Sequence, residues 1–154
     1  MKRIVTLALA ALFGVAVYAQ EASAPRLDFS VSEHHSINGG STLHEFGLGY
    51  RIDNVCVLRL NYGQIEFLAD TFHQETLTFA PAVVRSGFSL IPEVSMGLLH
   101  SKSDTSKVYG QVQWGVSLNY ALSNSMACGV SAKSVHFDGN VIPSVGVYYR
   151  AYIL

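Results

Sequence analysis

The chain has 154 residues, of which 49% are hydrophobic and 14% charged, with a formal net charge of −1. An ordinary soluble domain carries about 25% charged residues. Such sparse charge and so much apolar sequence exclude a disordered chain and a nucleic-acid binder, and the length admits a single domain.

Residues 1–19 read as a secretory signal peptide. Lys2 and Arg3 form a positive head, Ile4 to Val17 is an uncharged apolar run, and Val17-Tyr18-Ala19 fits a signal-peptidase site. The run is short of the ~20 residues a spanning helix needs, and no later stretch reaches that length. The expected domain therefore covers 20–154 and is exported. It is either soluble outside the cytoplasm or in a membrane by a route other than a helix.

From Leu27 onward hydrophobicity alternates with period two, which gives a strand one oily and one polar face. Leu27, Phe29 and Val31 stand against Asp28, Ser30 and Ser32. Phe46, Leu48, Tyr50 and Ile52 stand against Glu45, Gly47, Gly49 and Arg51. Cys56, Leu58, Leu60 and Tyr62 alternate with Val57, Arg59 and Asn61, and Leu77, Phe79, Pro81 and Val83 with Thr78, Ala80 and Ala82. The fifth segment sets Phe88 to Leu98 on the apolar side against Glu93 and its neighbours. The sixth, Val108 to Leu122, is the clearest, with Val112, Trp114, Val116 and Leu118 opposed to Gln111, Gln113, Ser117 and Asn119. The seventh opposes Met126, Cys128 and Val130 to Ser131 and Lys133, and the eighth opposes Val145, Val147 and Tyr149 to Tyr148 and Arg150. Eight strands are expected.

Asp53-Asn54, Arg85-Ser86-Gly87 and Ser123-Asn124-Ser125 read as tight turns. The polar stretches 34–43, 63–76, 99–107 and 134–141 read as long loops, so an up-and-down arrangement places short turns at one end and long loops at the other. Ile65, Leu68, Ala69 and Phe72 also fit helical spacing, which suggests one helical turn within a loop.

Three features point the oily face outward. Several segments reach ten residues or more, against a mean of about 5–6 in soluble sheets and the ~9–11 a bilayer-crossing strand needs. Gly47, Gly49, Gly97, Gly115, Gly129 and Gly146 sit on the polar face, which suits the crowded inside of a narrow barrel. The charges on that face nearly balance: Arg51, Arg59, Lys133 and Arg150 against Asp28, Glu45 and Glu93, with Gln111, Gln113 and Asn119 between them. They suit an internal ion-pair network, because buried charges persist only when paired.

With the leader, the eight alternating segments and the closing stretch Gly146-Val147-Tyr148-Tyr149-Arg150, the chain resembles the small eight-stranded outer-membrane barrels of the OmpA/OmpX type. The resemblance implies an all-β fold: a single eight-stranded antiparallel up-and-down transmembrane β-barrel with short periplasmic turns and longer extracellular loops. It implies the outer membrane of a Gram-negative-type bacterium, with outer-membrane lipids and lipopolysaccharide around the wall. It also implies insertion by the barrel-assembly machinery, which reads the closing strand. That strand normally ends on an aromatic residue; here Ala151 takes the place and Tyr152-Ile153-Leu154 follows. Phe29, Tyr50, Phe88, Tyr120 and Tyr149 toward one end, and Phe46 and Tyr62 toward the other, suit two membrane–water boundaries. Cys56 and Cys128 fall on strands half a barrel apart, beyond the ~7 Å a disulfide spans, so two free thiols are expected.

All six histidines, His34, His35, His44, His73, His100 and His136, fall in or beside the expected loops. Imidazoles converging at a rim can hold a divalent metal or haem. Histidine is equally an ordinary loop residue, and no spacing here matches a ligand motif, so no metal or cofactor is expected. Small outer-membrane barrels include lipid A deacylases and palmitoyl transferases that use serine with histidine near the outer rim. Ser36, Ser41, Ser101 and Ser103 are the serines toward that end, and none reproduces such a motif. Arg51, Arg59, Tyr109, Tyr148 and Arg150 would fill the interior and leave no pore. The expected protein is a non-enzymatic structural or surface-interaction barrel whose loops meet a host factor or other extracellular ligand. The alternatives are a soluble exported lipocalin-like barrel with a small apolar ligand, and a lipid A-modifying enzyme.

Overall fold

The computed structural model describes residues 27–52, 55–67, 70–82 and 87–153, so the expected signal peptide lies outside the described residues. The eight strands are β1 (Leu27–Ser36), β2 (Ser41–Ile52), β3 (Cys56–Phe67), β4 (Asp70–Pro81), β5 (Phe88–Ser101), β6 (Val108–Ala121), β7 (Met126–Phe137) and β8 (Asn140–Ile153). Each pairs antiparallel with the next, and β1 pairs with β8 from Leu27↔Ile153 to Ser36↔Ser144, which closes the barrel. Closure gives each strand a hydrogen-bonded neighbour on both sides, although the β4–β5 ladder covers only Phe72–Phe79 against Val94–Ser101.

Through the lower and middle parts of the barrel the period-two pattern sorts the side chains as the sequence suggests. Val31, Leu60, Trp114 and Val147 are exposed on the outer wall, while Asp28, Arg59, Glu93 and Arg150 are buried inside. Glycines make room for the inner groups. A Cβ at Gly49 would strike the Asp28 carboxylate, and one at Gly129 would strike the Tyr148 ring. Cys56 and Cys128 are both free thiols.

The end opposite the termini departs from expectation. The connections there are 37–40, 68–69, 102–107 and 138–139, no longer than those at the other end. The stretches read as long loops are largely strand. The pattern is hidden there because the polarity of the two faces inverts. Leu43, Ile65, Phe72, Leu99, Val135, Phe137 and Ile142 turn inward and form an apolar cluster, while His44, His73, His100 and His136 turn outward. The spacing read as a helical turn is a ladder pair: Ile65 lies opposite Phe72. The β7–β8 hairpin turns on Asp138-Gly139, both in the left-handed region at φ 44° and 74°. An Asp-Gly pair suits a two-residue hairpin turn, in which both central residues need positive φ.

Candidate functional site

The interior is layered. In the middle lies a ring of four charges. Arg59 Nε meets Asp28 Oδ1 at 3.1 Å and its Nη2 meets Oδ2 at 3.4 Å. Arg59 Nη1 lies 3.7 Å from Glu93, Arg150 Nη2 lies 3.5 Å from Glu93, and Arg150 Nε lies 3.8 Å from Asp28. Each cation faces both anions, so the buried ring is neutral as a unit. Arg150 also lies over the Tyr148 ring, 5.1 Å from its centroid, and the Tyr148 hydroxyl donates to Asn119 at 2.9 Å. Arg51 faces inward near the end that holds the chain termini, outside this ring and at intermediate exposure.

A second layer joins Glu45 to Lys133 in a close ion pair. Gln74 donates to Glu45 at 2.8 Å, and the Gln74 carbonyl oxygen accepts from Gln113 at 2.8 Å and from Gln111 at 3.2 Å. A cavity of about 20 Å³ lies where this layer meets the ring, lined by Glu45 and Lys133 and by Arg59, Glu93 and Arg150, and among the described residues buried His34 Nδ1 has no hydrogen-bond partner. That volume holds about one water molecule. Above this layer sits the apolar cluster. Phe137 packs against Phe67 and Phe72 at 5.7 Å between centroids. Charges, amides and rings therefore fill the barrel in succession.

The histidines do not converge. His34 points inward and is fully buried, with Nε2 2.6 Å from Ser131 Oγ. The other five face outward on β1, β2, β4, β5 and β7, within strands rather than loops. His35 pairs with Glu33 at 3.0 Å. Among the described residues no group of three or more His, Cys, Asp or Glu side chains is placed to hold a metal ion. Direct cross-strand pairing sets Glu33, His44, Gln64, His73 and His100 side by side along five neighbouring strands. This polar row bounds the apolar wall on one side of the barrel.

Of the four serines singled out from the sequence, Ser101 and Ser103 donate to Asp70 at 2.7 and 2.8 Å. Ser36 accepts from the Asn38 backbone at 3.3 Å, and Ser41 is half-buried at the start of β2. A fifth serine was missed. Ser134 Oγ lies 2.8 Å from His136 Nε2 on the outer face of β7, and Trp114 Nε1 donates to the same nitrogen at 2.9 Å. The alternation hints at the Ser134–His136 pair, two residues apart on one strand. Trp114 joins it only through the register Trp114↔Ser134 between β6 and β7. In the β5–β6 connection, hydrogen bonds from the Ser106 side chain and backbone hold the Asp104 carboxyl below the usual carboxylate range.

The sequence matches no protein-family profile and no curated protein. Solved structures do match. Neisserial surface protein A is 10% identical, with a TM-score of 0.59 over 82% of this chain and 94% of that one. The N-terminal β-barrel domain of Pseudomonas aeruginosa OprF is 16% identical, with a TM-score of 0.55 over 80% and 96%. The outer membrane enzyme PagL is 13% identical, with a TM-score of 0.56 over 82% and 99%. The closed ladder and these likenesses agree: the chain has the fold of the small eight-stranded outer-membrane β-barrels, as the resemblance to OmpA/OmpX-type barrels implied.

Proposed function

We propose that this protein is a non-enzymatic barrel that spans the outer membrane of a Gram-negative-type bacterium, sealed through its middle, with a structural and surface-contact role. The observation that carries the reading is inverted solvation: a wall of exposed apolar side chains around a buried, charge-balanced interior. The outward residues of β6 from Val112 to Tyr120, with Leu122 just past its end, are all exposed and hydrophobic. Ten steps of ~3.3 Å at the usual barrel tilt give a belt of about 25 Å, the height of an outer-membrane hydrocarbon layer. Outer-membrane lipids would meet this belt, and lipopolysaccharide headgroups would meet the polar row from Glu33 to His100. Residues 1–19 would direct export and be removed, and β8 would be read by the barrel-assembly machinery. Contacts with an extracellular ligand or host factor would use the outer mouth and its short hairpins.

A soluble lipocalin-like carrier fits poorly, because the middle of the interior holds ion pairs and amides where such a carrier needs an apolar cavity. The test is insertion. Trp114 fluorescence should be strongly quenched by brominated lipid, the folded protein should run anomalously on an unheated gel, and it should fractionate with the outer membrane. An unquenched Trp114 would overturn the reading. Near-zero conductance in a planar bilayer is expected for the sealed interior.

One observation favours a second reading, a lipid-modifying hydrolase: the Ser134–His136 pair faces the membrane side with nucleophile and base in hydrogen-bond reach. It ranks second because Trp114 donates to the nitrogen that would have to take the serine proton. Mass spectrometry of lipid A from cells with wild-type or Ser134→Ala protein separates the two. An altered lipid that reverts with the substitution would establish the hydrolase.

A further inference from the structure

The outer mouth carries a cleft of about 410 Å³ lying on the apolar cluster. Its floor is aromatic. Phe67 and Tyr109 remain partly exposed, and Phe72 and Phe137 are buried against them. The rings pack as one group: Phe67–Phe137 and Phe72–Phe137 at 5.7 Å, Phe72–Tyr109 at 6.1 Å and Tyr109–Phe137 at 6.3 Å.

Two carboxylates line the same cleft, Asp70 and Asp138, and among the described residues no lysine or arginine does. Asp70 is fixed in place. Its Oδ2 accepts from Ser101 and Ser103, and its Oδ1 accepts from the Thr71 backbone at 2.8 Å. Asp138 sits at the tip of the β7–β8 hairpin, exposed, and no side chain among the described residues pairs with its carboxylate. The nearby Lys107 is turned to Asp104, 3.4 Å away.

Aromatic rings present a negative face, which attracts cations that carry little hydration of their own. A primary ammonium needs three hydrogen-bond acceptors to leave water, and rings supply none. An alkylated ammonium needs none, and its methyl groups gain by covering the rings. The two acids add charge complementarity at the edge. We propose that the outer mouth binds small organic cations bearing a quaternary ammonium group of the choline type. The inference rests on the preceding reading only for the side from which the ligand arrives.

The test uses the full mature chain, refolded in a maltoside micelle, whose neutral headgroup does not compete. Saturation-transfer NMR of the choline methyl protons and calorimetry should both show saturable binding, with a Kd on the order of 1–10 mM. The neutral isostere 3,3-dimethylbutanol should bind at least about tenfold more weakly if the rings and acids recognise charge. Asp138→Asn keeps a residue that tolerates positive φ, so the hairpin should form, and affinity should fall about threefold to tenfold. Phe67→Leu should do the same while leaving the heat-modifiable gel shift unchanged. Equal binding of choline and its isostere, or no saturation by folded wild-type protein at tenfold the expected Kd, would overturn the proposal. A chain that stays unfolded in micelles and out of the membrane fraction would instead sink the barrel reading.

Discussion

Arg59 grips Asp28 through two nitrogens, and Asp28 is in turn backed by Gly49, where a Cβ would strike its carboxylate. The anion is thus held on two sides, by charge and by the absence of a side chain. It also lies within 3.8 Å of Arg150, so a single carboxylate serves two buried guanidinium groups.

Removing that carboxylate leaves two cations facing Glu93 alone. Asp28→Ala should destabilise the folded barrel by about 3–5 kcal/mol, the usual cost of stranding a buried charge. Replacing Asp28, Arg59, Glu93 and Arg150 together by apolar residues of similar volume should cost much less. Urea titration of vesicle-inserted protein checks both, and equal losses would mean that pairing is not what holds the ring.

The glycine behind Asp28 makes its own prediction. Gly49→Ala should cost about 1–3 kcal/mol, because the carboxylate is clamped and cannot yield to the new methyl. Gly110→Ala on the outer face should be nearly neutral, since a Cβ there meets nothing within 4 Å. The same urea titration measures the contrast.

The wall should show a depth profile. Val116 lies midway along the exposed run on β6, while His44 belongs to the polar row above it. Val116→Arg should destabilise the inserted barrel by about 2–4 kcal/mol and His44→Arg by about 0–1, following the cost of charge with depth. Similar values at both positions would place the hydrocarbon elsewhere.

Acid should loosen the β5–β6 connection. Its Asp104 carboxyl is held low by Ser106, so the folded form prefers the ionised acid. The order this contributes is present above the unfolded aspartate value of ~3.9 and is lost as pH falls through the lower folded value. Hydrogen exchange at the Ser106 and Lys107 amides, whose acceptors lie in Asp104, should speed up across that window beyond the intrinsic trend. Asp104→Asn should remove the pH dependence.

The middle of each strand is legible because an apolar outer wall and a charged interior impose opposite chemistry on alternate residues. The upper part is not, because both requirements reverse there. Ile65 and Phe72 are apolar because they face inward, and His73, beside Phe72, is polar because it has risen to the wall's upper boundary. Read without the fold, that mixture looks like a loop. The Asp138-Gly139 turn was written plainly in the sequence, and weighing it would have shortened the last expected loop. The parity of Asp28, Arg59, Glu93 and Arg150 put all four inside, but which cation meets which anion depends on strand stagger, which no local pattern encodes. The aromatic mouth was illegible for the same reason, since Phe67, Tyr109 and Phe137 come from three strands.

The tight β7–β8 hairpin has a consequence for access. Only Asp138 and Gly139 stand between β7 and β8, so that hairpin ends almost at the tips of its own strands. For a barrel seated in an outer membrane, so short a tip would lie under the carbohydrate coat of the surrounding lipids. A large partner would then touch this side of the mouth only through the hairpin tip, while small molecules able to slip between sugar chains would reach the opening itself.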